Sequence, residues 1–98
     1  MNRQVSFHAI AEQELNDAAS YYNALRPGLG QAFLDEVERT VAQLVAYPEA
    51  APLVNRIVRK KLVRRFPYSV MYSIRPAGIR ILAIAHQKRR PFYWRGRQ

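Results

Sequence analysis

The sequence predicts an α+β domain in which a short N-terminal strand leads into an antiparallel two-helix hairpin packed on a three- to four-stranded, mainly antiparallel sheet. Two observations predict it. The apolar period is close to helical between residues 9 and 47 and close to 2 between 57 and 85, so helices and strands are segregated along the chain instead of alternating. Turn signals at Arg26-Pro27-Gly28 and Pro76-Ala77-Gly78 leave short connections, and short connections join antiparallel neighbours. At 98 residues the span 1–98 reads as one domain with one core.

The elements follow in order. Residues 3–8, RQVSFH, form a short strand with Val5 and Phe7 on one face. From Ala9 onward, Ala11, Leu15, Ala18, Tyr22 and Leu25 step by three and four, marking one face of an amphipathic helix. Glu12 and Glu14 fall in its first turns, where they complement the helix dipole. Arg26-Pro27-Gly28 stops it, because proline cannot continue a helix and glycine permits the turn. A second helix over 29–47 carries the stripe Phe33, Val37, Val41, Leu44 and Val45, with Asp35, Glu36, Glu38 and Arg39 pointing elsewhere. PEAAPLVNR, residues 48–56, reads as a loop.

Residues 57–65, IVRKKLVRR, are β-branched and basic, and Phe66-Pro67 breaks the strand they form. Tyr68, Val70, Tyr72 and Ile74 then alternate with Ser69, Met71, Ser73 and Arg75, the pattern of a half-buried strand. IRILAIA, residues 79–85, is apolar on both faces except at Arg80, which predicts a central strand.

Composition excludes several classes. There are no cysteines, so neither a disulfide framework nor a thiolate metal site exists. His8 and His86 lie far apart with no ligand spacing around either, and neither a metal nor a cofactor is expected. No apolar run approaches the roughly 18 residues of a membrane span, and MNRQVSFHAIAEQEL lacks the apolar core of a signal peptide. The expectation is a cytoplasmic protein with no membrane partner.

Charge is the informative quantity. The net charge is +9, from 16 basic and 7 acidic residues. Residues 1–55 hold three basic and all seven acidic residues, a balance of −4, whereas residues 56–98 hold thirteen basic residues and no acid. Four negatives cannot neutralise thirteen positives, so a positive field remains for nucleic acid, an acidic protein or an anionic surface. It peaks in the C-terminal stretch AHQKRRPFYWRGR, where Phe92, Tyr93 and Trp94 interrupt the cations. Such aromatics stack on bases or anchor interfaces, and Trp94 is equally able to fold back over the sheet edge. Arg59, Lys60, Lys61, Arg64 and Arg65 lie along the first strand of the meander and Lys88, Arg89 and Arg90 leave the last, so topology lets the two groups converge.

Four segments taken in order, AEQELNDAASYY, FLDEVERTVAQLVAYPEAAP, RRFPYSVMYSI and GIRILAIAHQKRRPFYWRGR, resemble the RelE/ParE superfamily, the toxins of bacterial type II toxin–antitoxin systems. The pair RFPYSVMY and AHQKRRPFYW carries most of the resemblance, which extends over nearly the whole chain. It implies a strand, a helical hairpin and an antiparallel sheet, in agreement with the pattern above.

The resemblance also implies one of two activities. The RelE-like arm cleaves mRNA on the ribosome; the ParE-like arm, the plasmid-stabilisation type, poisons DNA gyrase. RNA cleavage by 2′-OH attack needs a proton acceptor, a stabiliser of the phosphorane charge and a donor to the leaving oxygen. The catalytic candidates are Arg64, Arg65, His86, Arg90 and Tyr93. His86 is equally able to end a strand and bond a backbone group. Where RelE-like enzymes resemble Tyr-Arg-x-x-Tyr, this chain has Tyr68-Ser69-Val70-Met71-Tyr72. Serine thus stands in place of a phosphate-binding arginine, Leu62 falls on one lysine, and Trp94 lies near a catalytic tyrosine. These departures favour the ParE-like arm, in which the chain is not an enzyme and Lys60, Lys61, Lys88, Arg89, Arg90, Trp94 and Arg95 meet the target.

As partners the resemblance implies an acidic cognate antitoxin in a hetero-oligomer, held at Tyr21, Tyr22, Leu25, Arg59 and Arg80. It further implies gyrase or another essential machine as target, and operator DNA bound only indirectly through the antitoxin. A generic basic nucleic-acid-binding module is the reading outside the family.

Overall fold

The computed structural model describes residues 4–98; Arg3 of the predicted first strand lies outside them. The elements run β1 (Gln4–Phe7), α1 (Ala9–Leu25), α2 (Leu29–Ala46), β2 (Val58–Leu62), β3 (Tyr68–Arg75) and β4 (Gly78–His86). The sheet order is β1-β4-β3-β2. β2, β3 and β4 form the expected antiparallel meander, while β1 pairs parallel with β4, from Gln4 opposite Gly78 to Phe7 opposite Ile81. The sheet is therefore mixed, and β4 is interior as its apolar sequence predicts. The parallel pair brings backbones so close that a Cβ on Gly78 would run into the Gln4 carbonyl, and Gly78 also adopts a φ of 146°; only glycine fits.

α1 begins where the His8 Nδ1 accepts the Ile10 N–H at 3.1 Å, an N-cap interaction. The hairpin crosses tightly at Gly30, where any side chain would meet the Ala19 carbonyl. Its apolar faces close one side of the sheet. Phe33, Val37 and Leu44 from α2 and Ala11 and Ala18 from α1 pack on Val70, Tyr72, Ile79, Ile81 and Ile84. Tyr22, Phe33, Phe66 and Tyr68 form an aromatic cluster with centroids 4.9–6.2 Å apart, mostly edge to face.

Four expectations need correction. Leu25, placed on the buried stripe, is 62% exposed, because α1 ends there beyond the sheet. Glu36, placed on the solvent side, is buried, where it accepts from Arg39 and faces Arg65 at 3.9 Å. β2 is shorter than 57–65, because Val63 turns inward and its N–H bonds the Tyr68 carbonyl across a loop in which Arg65 has a φ of 71°.

The fourth concerns β3, whose serine and methionine side was expected to face water. Ser69, Met71 and Ser73 are buried. A second apolar cluster covers this side: Trp94 packs with Val58, Met71, Leu82 and Ala83. A register shift opposite Met71 and Tyr72 skips Leu82 and turns both Leu82 and Ala83 to that side, the effect of a β-bulge. Among the described residues no helix is long and apolar enough to cross a membrane, and no group of acidic or histidine side chains is arranged to hold a metal.

Candidate partner-binding surface

The C-terminal segment 87–98 lies over this second side of the sheet without regular secondary structure. Its main chain is a succession of tight turns. The N–H groups of Arg89, Tyr93, Arg95 and Arg97 each bond the carbonyl three residues back, and Phe92 takes a φ of 61°.

What holds the segment down is one acid from the other half of the chain. The Glu14 carboxylate on α1 accepts the Tyr93 hydroxyl at 2.8 Å and both terminal nitrogens of Arg97, at 2.9 and 3.2 Å. It also accepts the Ile84 N–H at 3.1 Å, and Arg97 donates in turn to the Leu82 carbonyl at 3.0 Å. β1 stops pairing at Ile81 while β3 continues on the other side, so Ile84 and Leu82 lie on the stretch of β4 that has no strand on its β1 side. The side chains of Glu14 and Arg97 are only 17% and 11% exposed, and a bidentate pair so shielded is stronger than one in water. Burial, then the hydrogen bond and charge of Glu14, raise the Tyr93 pKa well above the ordinary phenol value despite Arg97 and Arg89 nearby.

Sequence reasoning assigned Glu14 only to the helix dipole. A signal for its real place was present: it stands three residues after Ala11 and four before Ala18, both buried, which sets it on the inward face of α1.

The guanidinium of Arg89 lies 4.1 Å and that of Arg97 5.1 Å from the Tyr93 ring centroid, and that of Arg95 5.3 Å from Phe92. Lys88, Arg89, Arg90 and Arg95 are exposed, as are Lys60 and Phe92. Lys60, Arg89 and Arg90 line a cleft with Ser69, Met71, His86 and the aromatic triplet. Its volume is about 180 Å³, below the roughly 300 Å³ at which small-molecule sites begin. Lys61 is only half-exposed, in a groove beside Tyr47 and Leu62.

Of the predicted target set, Lys60, Arg89, Arg90 and Trp94 line the cleft, Lys61 lines the other groove, and Lys88 and Arg95 are exposed but line neither. Trp94 is only 5% exposed, its ring packed on the sheet in the second cluster.

The five catalytic candidates do not converge. His86, Arg90 and Tyr93 line the cleft, but Arg64 and Arg65 do not; Arg65 turns toward Glu36 and the Phe66 ring. The Tyr93 hydroxyl is already donated to Glu14. The His86 Nδ1 accepts the Lys88 N–H at 3.0 Å and the ring stands edge-on to Tyr68. With Nδ1 as acceptor, a neutral ring carries its proton on Nε2 and has no free lone pair to act as a base.

The residues assigned to the antitoxin also separate. Tyr21 and Leu25 are exposed on α1, whereas Tyr22 sits in the aromatic cluster. Arg59 donates to the Glu49 and Ala51 carbonyls, at 3.0 and 2.7 Å, and so fixes the loop after α2. Arg80 bonds the carbonyls of Gln98 and Phe7, at 3.1 and 3.2 Å. Both arginines thus serve internal contacts, Arg59 on the edge strand β2 and Arg80 on the interior strand β4.

A solved structure described as the chromosomal ParDE toxin–antitoxin system from P. aeruginosa shares this fold. It superposes with a TM-score of 0.74 over 86% of this chain and 95% of that one, at 23% sequence identity; at that identity the likeness speaks for the fold. No protein of curated function matches significantly. The family model described as the ParE toxin of the type II toxin–antitoxin system parDE matches residues 5–91, most of the chain, from within β1 to beyond the end of β4, and the chain belongs to that family.

Proposed function

We propose that the chain is a ParE-like toxin that acts by binding, not by catalysis. In this reading its basic C-terminal surface engages an essential bacterial machine, DNA gyrase being the first candidate, and an acidic cognate antitoxin neutralises it in the cytoplasm. One observation carries the reading. The groups that RNA cleavage would need are spent on internal contacts, with Tyr93 on Glu14 and the His86 Nδ1 on Lys88, while the cations beside them remain exposed. A surface with charge and no free proton acceptor suits recognition of a negative partner. Operator DNA would be reached through the antitoxin.

The test is pulse labelling after tightly controlled induction in a bacterial host, following label into DNA and into protein. DNA synthesis falling first supports the proposal. Protein synthesis falling first, with loss of toxicity in His86→Ala, transfers the chain to the RelE-like nuclease reading. Toxicity should survive His86→Ala, because the ring's role is local.

A further inference from the structure

We infer that residues 87–98 form a strap that opens and closes as one unit, with Glu14 as its positioning residue. The main chain of the strap explains why it is separable. The backbone bonds of residues 89–97 are local turns, and the tie from Gln87 N–H to the Pro67 carbonyl, 2.9 Å, sits at its root. Beyond that root, attachment is by side chains: the Glu14 clamp on Tyr93 and Arg97, the Arg97 and Arg80 bonds, and burial of Trp94. Side-chain attachments can be broken together without disturbing a strand ladder or a helix, which is the condition for sub-global opening.

Charge sets the direction of the equilibrium. The strap carries Lys88, Arg89, Arg90, Arg95 and Arg97 and no acid, on a half of the chain that is already basic. Glu14 is the carboxylate that meets it. Its removal takes away the acceptor for Arg97 and Tyr93 and also unmasks repulsion between strap and sheet. Closed, the strap holds Arg89, Arg90, Arg95 and Phe92 in one arrangement; open, the same groups are dispersed. On the proposed function, Glu14 therefore governs the surface that meets the target, through Tyr93 and Arg97 and with no contact of its own.

Trp94 reports the equilibrium directly, because it is the only tryptophan and the strap buries its ring against the sheet. The experiment compares acrylamide quenching of Trp94 and amide exchange of residues 88–97 in the full chain and in Glu14→Gln, Arg97→Gln and Glu12→Gln. Loss of a charge-assisted hydrogen bond pair should raise the opening equilibrium on the order of tenfold or more in the first two variants. Exchange in α2 and β3 should stay as in the unaltered chain. Glu12→Gln makes the same charge change at an exposed site and should move neither readout.

Trp94 remaining protected in both Glu14→Gln and Arg97→Gln overturns the inference. So does loss of protection in strap and helices by the same factor, or failure of both variants to fold, since the strap is then integral to the core. The readout is intramolecular, so it fails or succeeds independently of which machine the protein binds.

Discussion

The two sides of the sheet are closed by different means. On one side two helices of 17 and 18 residues bring an apolar stripe and an aromatic cluster. On the other, a segment without regular structure brings one tryptophan and is clamped by one carboxylate. The first side has hydrogen-bonded helices whose packing is spread over many residues, so it resists local opening. The second concentrates its attachment in a few side chains and carries the exposed cations. Stability and recognition are thus assigned to opposite faces of the same strands, and β3 and β4 serve both.

The sharpest way to break that comparison is to empty each side in turn. Phe33→Ala, beneath the hairpin, should cost about 3–5 kcal/mol of global stability and lower the urea midpoint of the helical signal. Trp94→Ala removes a side chain as large, yet its main effect should be local: proteolysis within 87–98, with a much smaller shift in the helical midpoint. Equal shifts would mean that the two sides form one cooperative unit.

A smaller effect sharpens the recognition side. Arg89→Ala with Arg90→Ala removes two exposed cations from the strap. Association with an acidic partner should slow by roughly tenfold, with a weaker dependence on salt and an unchanged melting curve. An unchanged association rate would move recognition away from this face.

The smallest effect is alkaline. Tyr93 has its pKa raised by burial first and by Glu14 next, and burial also raises Tyr22, Tyr68 and Tyr72. Folding therefore favours the protonated phenols. Their contribution is fully present below pH of about 10, the unfolded value, and is lost as pH rises through the higher folded values. Trp94 quenching should grow above pH of about 10, and Tyr93→Phe, which lacks the ionising group, should flatten that rise.

Much of the fold was legible because it rests on periodicity. Two helices with a proline–glycine break and three strands with a proline–glycine turn announce themselves in the spacing of apolar residues, and the parallel addition of β1 altered only the strand directions, from mainly antiparallel to mixed. The second side of the sheet was not legible. Ser69, Met71 and Ser73 alternate as solvent-facing residues do, and nothing in β3 itself says that a distant segment will cover them. Trp94 was readable either as an anchor for a partner or as a lid, and in the structure its ring is buried over the sheet.

The charge of the C-terminal segment was legible, since Lys88, Arg89, Arg90 and Arg95 are all exposed, and its fastening was not. Glu14 and Arg97 are 83 residues apart, and only the fold brings the acidic half of the chain to the basic one. The helical spacing of Glu14 against Ala11 and Ala18 was the local sign that its role exceeded the dipole.

The clamp has one more consequence, for the fate of the protein in a crowded solution. Beyond the end of β1, β4 offers the Ile84 N–H and the Leu82 carbonyl at an edge where another chain's strand would dock. Glu14 occupies the donor and Arg97 the acceptor, so two side chains counterfeit the missing neighbour. Unfilled edges of this kind template aggregation. The same ion pair that fixes the strap thereby denies the sheet a route to growth.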